Sequence, residues 1–291
     1  MNQHQQCPLC NSPEIKDLRR YQADHLVRCR NCHFVFSRVI PGPEELNALY
    51  SEYFYGEDYY VSPITLERYR KLVKEFEPYR QHNRLLDVGC GNGQLLSVAR
   101  EMGWECFGVE VSGRAVKLCR EQGFEVYEGT LAETIERLPE CDVLVSIEVI
   151  EHLSTPAEEV KLMHRVLRPA GLLYITTPNF NGLQRLLTGR DTAIISYPEH
   201  LSYFTPRTLS RLTGQSGFKV KQIQSTGFSL SRLQKTYSDR SETLNTAQSA
   251  DEKLRKSIES NPFLKLIKGL ANRFFTLTGT GNSLKGWFIK D

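Results

Sequence analysis

The sequence predicts an α/β fold, a mostly parallel sheet flanked by helices, with a small cysteine-rich module ahead of it. Three observations carry this expectation. From about Asn83 onward, short apolar runs alternate with amphipathic stretches, the pattern of strands feeding crossover helices. The first such run, Leu85-Leu86-Asp87-Val88, passes directly into Gly89-Cys90-Gly91-Asn92-Gly93, a glycine-rich strand-to-helix turn. Nearer the N-terminus, Cys7-Pro8-Leu9-Cys10 and Cys29-Arg30-Asn31-Cys32 set two C-x2-C pairs on either side of an 18-residue spacer.

Gly103 closes the first helix of the series, and Trp104 to Val109 predicts a second strand with Glu110 at its tip, 23 residues after Asp87. Ser112 is the expected N-cap of the next helix, which runs to Gln122 and stops at Gly123. A short strand, Glu125 to Tyr127, enters the turn Glu128-Gly129-Thr130-Leu131. Asp142 to Ile147 and Leu172 to Thr176 are apolar runs expected to be buried strands. Between them, Thr155-Pro156-Ala157-Glu158 predicts a capping box with proline at the first helical position, starting a helix to about Leu167. Phe218 to Gln224 fits a sixth strand and Ser283 to Lys290 a last one.

The glycine turn has the character of a nucleotide-cofactor turn. A dinucleotide fingerprint, G-x-G-x-x-G, needs its third glycine where this chain has Gln94. Glycines at 89, 91 and 93 let the backbone pass close to a ligand without a phosphate there, and Asp87 at the strand end can accept hydrogen bonds from an ammonium. That combination points to S-adenosylmethionine; the alternative is an ordinary strand-to-helix turn. Glu110 stands where a carboxylate holds a ribose diol, and the turn from Glu128 to Leu131 is where an adenine edge is read.

From about Asn83 to Pro178 the chain resembles the class I S-adenosylmethionine-dependent methyltransferases. The motifs are Asp87 to Gly93, Val109-Glu110-Val111-Ser112, and Cys141 to Leu153 ending in Glu148-Val149-Ile150-Glu151-His152-Leu153. The resemblance implies a Rossmann-like, mostly parallel seven-stranded sheet whose last strand, Ser283 to Lys290, is antiparallel, with a helical insert over about 228–282. It implies that Asp87, Gly89, Cys90, Gly91 and Gly93 hold the methionine part, Glu110 and Val111 the ribose, and Thr130 and Leu131 the adenine, with Glu148 adding backbone contacts. The family often shows an acidic residue at the adenine turn, where this chain has Thr130.

Glu148, Glu151 and His152 lie at i, i+3 and i+4, so a helix would put them on one face. Tyr197 to Thr205 supplies His200 beside aromatic residues, before a helix beginning near Pro206. The Glu-x-x-Glu-His run resembles that of ubiquinone-pathway O-methyltransferases and small-RNA 2′-O-methyltransferases, where such residues bind a divalent ion that orients the acceptor hydroxyls. Carried over, the ion would rest on Glu148, Glu151, His152 and His200 and lower the pKa of a bound hydroxyl. Without an ion, His152 or His200 serves as general base. The blander alternatives are an exposed helix position for Glu151 and structural hydrogen bonds for the histidines.

Cys7, Cys10, Cys29 and Cys32 have zinc-ribbon spacing and are expected to ligate one structural zinc, with no position left open for substrate. A module of about 35 residues is too small to hold a stable core without a metal. Disulfide pairing, or His33 in place of Cys32, is the alternative. Cys90, Cys106, Cys119 and Cys141 fall in or beside apolar segments and fit core positions. The expected division is a ribbon over 1–40, a helical and aromatic linker over 41–82 in which Tyr53 to Tyr60 either caps the pocket or packs between the two modules, and the methyltransferase domain over 83–291.

A net charge of +3 over 291 residues does not imply a polyanionic partner; Arg19, Arg20, Arg28 and Arg30 are expected to form a solvated charged face, with nucleic-acid binding as the alternative. No apolar run approaches the roughly 20 residues of a membrane span, and the first residues lack a signal-type apolar region, so a cytoplasmic protein is expected. The stretch 262–276 is amphipathic, expected to pack on its own domain or to dimerise, with peripheral membrane contact as the alternative. The ribbon, the central motifs and His200-x-x-x-Phe204-Thr205-Pro206 together resemble bacterial methyltransferases of polysaccharide and natural-product pathways. This implies O-methylation of a small hydroxylated acceptor such as a sugar or sugar nucleotide. An RNA methyltransferase using the ribbon for RNA recognition, and a noncatalytic cofactor-fold module, are the competing readings.

Overall fold

A computed structural model describes residues 2–42, 44–46, 62–189, 192, 194–227, 257–258 and 260–291. The aromatic linker Tyr53 to Tyr60 and the first part of the insert, 228–256, lie outside the described residues.

The first forty residues form five short strands, β1 (Asn2–Gln3), β2 (Ile15–Asp17), β3 (Leu26–Cys29), β4 (Val35–Ser37) and β5 (Val39–Ile40). The helix α1 (Pro63–Phe76) leads into the alternating series β6 (Arg84–Val88), α2 (Gln94–Glu101), β7 (Glu105–Glu110), α3 (Gly113–Glu121), β8 (Glu125–Glu128), α4 (Leu131–Thr134), β9 (Cys141–Ile147), α5 (Pro156–Val166) and β10 (Leu167–Pro178). Then come α6 (Leu183–Thr188), β11 (Ser202–Tyr203), α7 (Pro206–Gln215), β12 (Phe218–Thr226), α8 (Pro262–Thr278) and β13 (Ser283–Lys290).

Seven strands make the main sheet in the order β12-β13-β10-β9-β6-β7-β8. Strands β10, β9, β6, β7 and β8 pair in parallel, and β13 runs antiparallel between β10 and β12. This is the mostly parallel sheet with an antiparallel last strand that the sequence predicts. Its central strands read as unbroken apolar runs because both faces are covered: Leu85, Leu86, Val143, Leu144, Val145 and Leu172 to Ile175 are all buried.

Local chemistry sets most boundaries. Ser62 Oγ caps α1 ahead of Pro63, and Ser112 Oγ accepts from Ala115 N to start α3 as expected. The capping box predicted at Thr155 does not form. Thr155 has φ −122° and ψ 61°, and its side chain makes no capping bond, although α5 does begin at Pro156. A reciprocal box closes instead on α4, between Thr130 and Glu133.

Asp142, expected only as the edge of an apolar run, is fully buried at the start of β9. Its Oδ1 accepts from Arg168 Nε at 2.6 Å, and its Oδ2 from His82 N and Arg84 N at 2.8 and 3.2 Å. This clamp lies at the opposite end of β9 from the strand tip that carries the candidate site.

Two arrangements differ from expectation or go beyond it. The helix α8 turns its apolar stripe outward: Phe263, Leu266, Ile267, Leu270, Phe274 and Leu277 are all exposed. Leu264, Lys268, Phe275 and Thr276 are the half-buried side, so the stripe does not pack on the described residues of its own domain. The cysteine-rich region is also joined to the main body by backbone pairing. β11 completes a four-stranded sheet in the order β11-β4-β3-β2. Phe34 meets Phe36 and Phe204 at ring-centroid distances of 5.8 and 5.1 Å. Each of these buried rings contributes about 1.5–3 kcal/mol to folding. Among the described residues, no helix is long and apolar enough to cross a membrane.

Candidate active site and metal centre

At the end of β6 the chain winds through Gly89, Gly91 and Gly93, all at positive φ (78°, 51° and 73°), where a Cβ is strained. Gly89 N donates to Val109 O at 2.8 Å, tying the turn to β7. The two carboxylate oxygens of Glu110 accept from Gly91 N and Ser112 N, each at 2.9 Å. Part of the need for glycine is internal: a Cβ on Gly89 would lie 2.5 Å from Val149 Cγ2, and one on Gly93 3.0 Å from Cys119 Sγ.

Asp87 is 4% exposed, and burial together with the negative charge of Glu110 pushes its carboxyl up to about 7. A buried acid beside a second acid suits a cationic ligand, and the ammonium of S-adenosylmethionine is such a cation. Asn92 Oδ1 is buried with no hydrogen-bond partner among the described residues, a polar atom in the turn that sequence reasoning missed. Its signal was its place between two of the glycines. Val111 is 47% exposed beside Glu110, an apolar wall at the tip of β7. Cys90 is buried, its Sγ 2.7 Å from where a Cβ on Gly108 would stand. The side chains named for adenine are already engaged: Thr130 in its capping box with Glu133, Leu131 in the core.

Beyond the tip of β9, Glu148 takes φ 53°, and Ile150–His152 form a single 3-10 turn. Glu148, Glu151 and His152 therefore do not share a helical face. The carboxylate of Glu148 accepts from Thr176 Oγ1 at 2.8 Å. Glu151, His152 and His200 do come together, with one ligand-type atom of each within 4.8 Å of the others, and Glu148 stands outside that group. His152 Nδ1 is 2.9 Å from Glu199 O, and His200 Nδ1 is 2.9 Å from Ile194 O. A carbonyl oxygen only accepts, so each Nδ1 is placed to donate.

Burial and the neighbouring His200 push His152 down to about 4, leaving it neutral at pH 7. Glu151 is 2% exposed rather than on a solvated face, and burial with the charge of Glu148 holds it well above the usual carboxylate range. Its Oε2 has no hydrogen-bond partner among the described residues. Two imidazoles and a buried carboxyl group within this distance are a donor set that fits a divalent cation. Val149, within the same loop, packs on Gly89, so this cluster adjoins the glycine turn.

Residues 60–223, more than half of the chain, match the family described as "Methyltransferase domain". The chain belongs to the class I S-adenosylmethionine-dependent methyltransferases. It is 29% identical over 167 residues to the ubiquinone biosynthesis O-methyltransferase of Thiobacillus denitrificans, covering 53% of this chain and 71% of that protein. It is 27% identical over 191 residues to the protein of the same name from Nitrosospira multiformis, covering 58% and 79%. Among solved structures it is similar to an S-adenosylmethionine-dependent methyltransferase from Archaeoglobus fulgidus, with TM-score 0.52, 20% identity, and coverage of 84% of this chain and 99% of that one. It is also similar to the cyclase SpnF, with TM-score 0.53, 20% identity, and coverage of 87% and 97%. These structural likenesses establish the fold alone.

The cysteines of this methyltransferase converge outside the matched segment. All four Sγ atoms of Cys7, Cys10, Cys29 and Cys32 lie within 4.8 Å of one another. Cys7 to Cys32 is 3.5 Å and Cys10 to Cys29 is 3.6 Å. Tetrahedral zinc with bonds of about 2.3 Å spaces its sulfurs by about 3.8 Å, whereas a disulfide needs about 2.05 Å. All four cysteines are free. Cys32 N and Asn31 Nδ2 lie 3.5 and 3.8 Å from Cys29 Sγ and Cys10 Sγ, aimed as donors to thiolates. The hydrogen bond between Cys7 and Cys32 pushes Cys32 down and Cys7 up, the mark of two sulfurs close enough to share one proton. The donor set fits zinc, and among the described residues His33 belongs to no such group.

Proposed function

We propose that this methyltransferase O-methylates a small hydroxylated acceptor, with His152, His200 and Glu151 at the reacting oxygen. The observation that carries the reading is the convergence of two imidazoles, each Nδ1 held by a backbone carbonyl, on a buried carboxyl oxygen with no hydrogen-bond partner among the described residues, adjoining the glycine turn. S-adenosylmethionine, when bound, supplies an electrophilic methyl group. Asp87 holds the ammonium of the methionine part, and each oxygen of Glu110 keeps a lone pair for a ribose hydroxyl. Gly89, Gly91 and Gly93 admit the backbone to close range, and Val111 and the backbone at Thr130 and Leu131 flank the adenine. Nε2 of His152 or His200 accepts the acceptor hydroxyl proton while Glu151 orients its partner. A divalent ion on Glu151, His152 and His200 would lower the hydroxyl pKa and draw Glu151 into its charged form.

Transfer to oxygen is supported by the names of the curated relatives, which are O-methyltransferases. A sugar or sugar nucleotide as acceptor rests on the resemblance carried by the ribbon and the His200 to Pro206 segment. An RNA acceptor is the second reading; a net charge of +3 argues against it.

The test combines a panel of hydroxylated sugars, sugar nucleotides and catechols with His152→Gln and His200→Gln. Loss of a positioned base lowers turnover by about 10²–10⁴-fold, while S-adenosylmethionine affinity stays within twofold of wild type. Full turnover in both variants sinks the assignment. Binding of Mn²⁺ by the wild type but not by Glu151→Gln decides in favour of the ion.

A further inference from the structure

We propose that the cysteine ribbon is a positioning element of the active site: its sheet carries β11, and through Leu201 it fixes the backbone of both His200 and Glu151. The inference rests on the reading that these two residues work at the reacting oxygen.

The connection is continuous in hydrogen bonds. β4 pairs with β11 through Val35 with Tyr203 and Phe36 with Ser202. Ser37 N extends that ladder by donating to Leu201 O at 2.8 Å, and Leu201 N donates to Glu151 O at 2.7 Å. The Leu201 residue, next to His200 in the chain, is thus clamped between the ribbon on one side and the Glu151 backbone on the other. Tyr203 Oη donates to His200 O at 2.9 Å, and Ser202 Oγ to Leu153 O at 2.7 Å, so both ends of the histidine cluster are pinned from β11.

On the ribbon side the cysteines reach the same strand. Cys29 N donates to Phe34 O at 2.9 Å. Cys7, Cys29, Cys32, Phe34 and Phe36 share one apolar core with Phe204 and with Ile150 of the turn that carries Glu151. The strands β2, β3 and β4 have three, four and three residues. Elements this short do not hold register alone, so a metal on the cysteines fixes β4, and β4 fixes β11. A four-thiolate site has no open position for substrate. Positioning gives it a part in catalysis that needs none.

The experiment uses the full-length, zinc-loaded protein with carbon-13-labelled histidine. Zinc is removed with a chelator, and separately Ser37→Pro deletes the donor to Leu201 while leaving the four cysteines in place. Expected are shifted or broadened ring signals for His200 and His152, at least a tenfold fall in turnover, and S-adenosylmethionine affinity within twofold of wild type. Ser37→Pro gives the same changes while retaining one zinc per chain. Unchanged histidine signals in both samples overturn the proposal. So does parallel loss of cofactor binding and thermal stability on zinc removal, which makes the metal a general stabiliser. If the signals move but His200→Gln keeps full turnover, the ribbon still positions His200, while the assigned chemistry of His200, and with it the ribbon's part in catalysis through that residue, falls.

Discussion

Asp87 and Glu110 stand near the ends of adjacent strands, and on the proposed cofactor site the repulsion of Asp87 by Glu110 gives S-adenosylmethionine binding a pH dependence. A folded-state pKa raised to about 7 means that the neutral carboxyl is the comfortable form. Its stabilising contribution is full below the ordinary carboxylate value and is lost as pH rises through 7. An ammonium ligand reverses that preference, so binding expels a proton. We expect S-adenosylmethionine affinity to fall about tenfold per pH unit below about 7 and to level off above it. Calorimetry in buffers of differing ionisation enthalpy checks this: proton release appears in wild type and disappears in Asp87→Asn, which also binds at least tenfold more weakly. These acids were legible because strand-end carboxylates need only a strand and a turn to be placed. Glu148 was not, because its left-handed φ depends on how β9 and β10 meet, and that turn took it out of the face shared with Glu151 and His152.

The elements show where local sequence rules compete. Thr130-x-x-Glu133 and Thr155-x-x-Glu158 both have capping-box spacing, yet only the first closes. Strand positions and most helix starts were legible from periodicity, proline and serine. The clamp on Asp142 was not, because its partner Arg168 lies at the start of another strand and the parallel pairing of β9 with β10 brings them together. Arg168 also donates to Pro169 O at 2.7 Å and to Tyr79 O, so it binds three separate groups. Arg168→Met leaves Asp142 buried without its counter-charge and is expected to cost about 3–5 kcal/mol in denaturant unfolding. Cofactor affinity is expected to hold, since the clamp sits at the far end of β9. A loss below about 1 kcal/mol would show that the main-chain donors alone satisfy Asp142.

For the molecule as a whole, periodicity gave the width of the apolar stripe on α8 but not its direction. The side that meets β12 is held by polar anchors: Thr276 Oγ1 donates to Ser225 O at 3.1 Å, and Asn272 Oδ1 accepts from Gly227 N at 3.0 Å. Leu266 and Leu270, 60% and 56% exposed, are therefore expected to tolerate glutamine with stability changes within about 0.5 kcal/mol. Thermal melts check this, and a loss of several degrees would show that the stripe is covered. The convergence of His200 with Glu151 was legible only as residue types, since it depends on pairing between distant segments. Ser202 meets Phe36 across more than half of the chain, and that separation has a consequence for how the protein is made. The four cysteines emerge from the ribosome before β11, the strand that completes their sheet, which is synthesised only after β10. Contacts this non-local form late. Refolding from denaturant should therefore show zinc uptake well before the His200 environment recovers, with metal capture as an early local event and assembly of the reactive centre among the last.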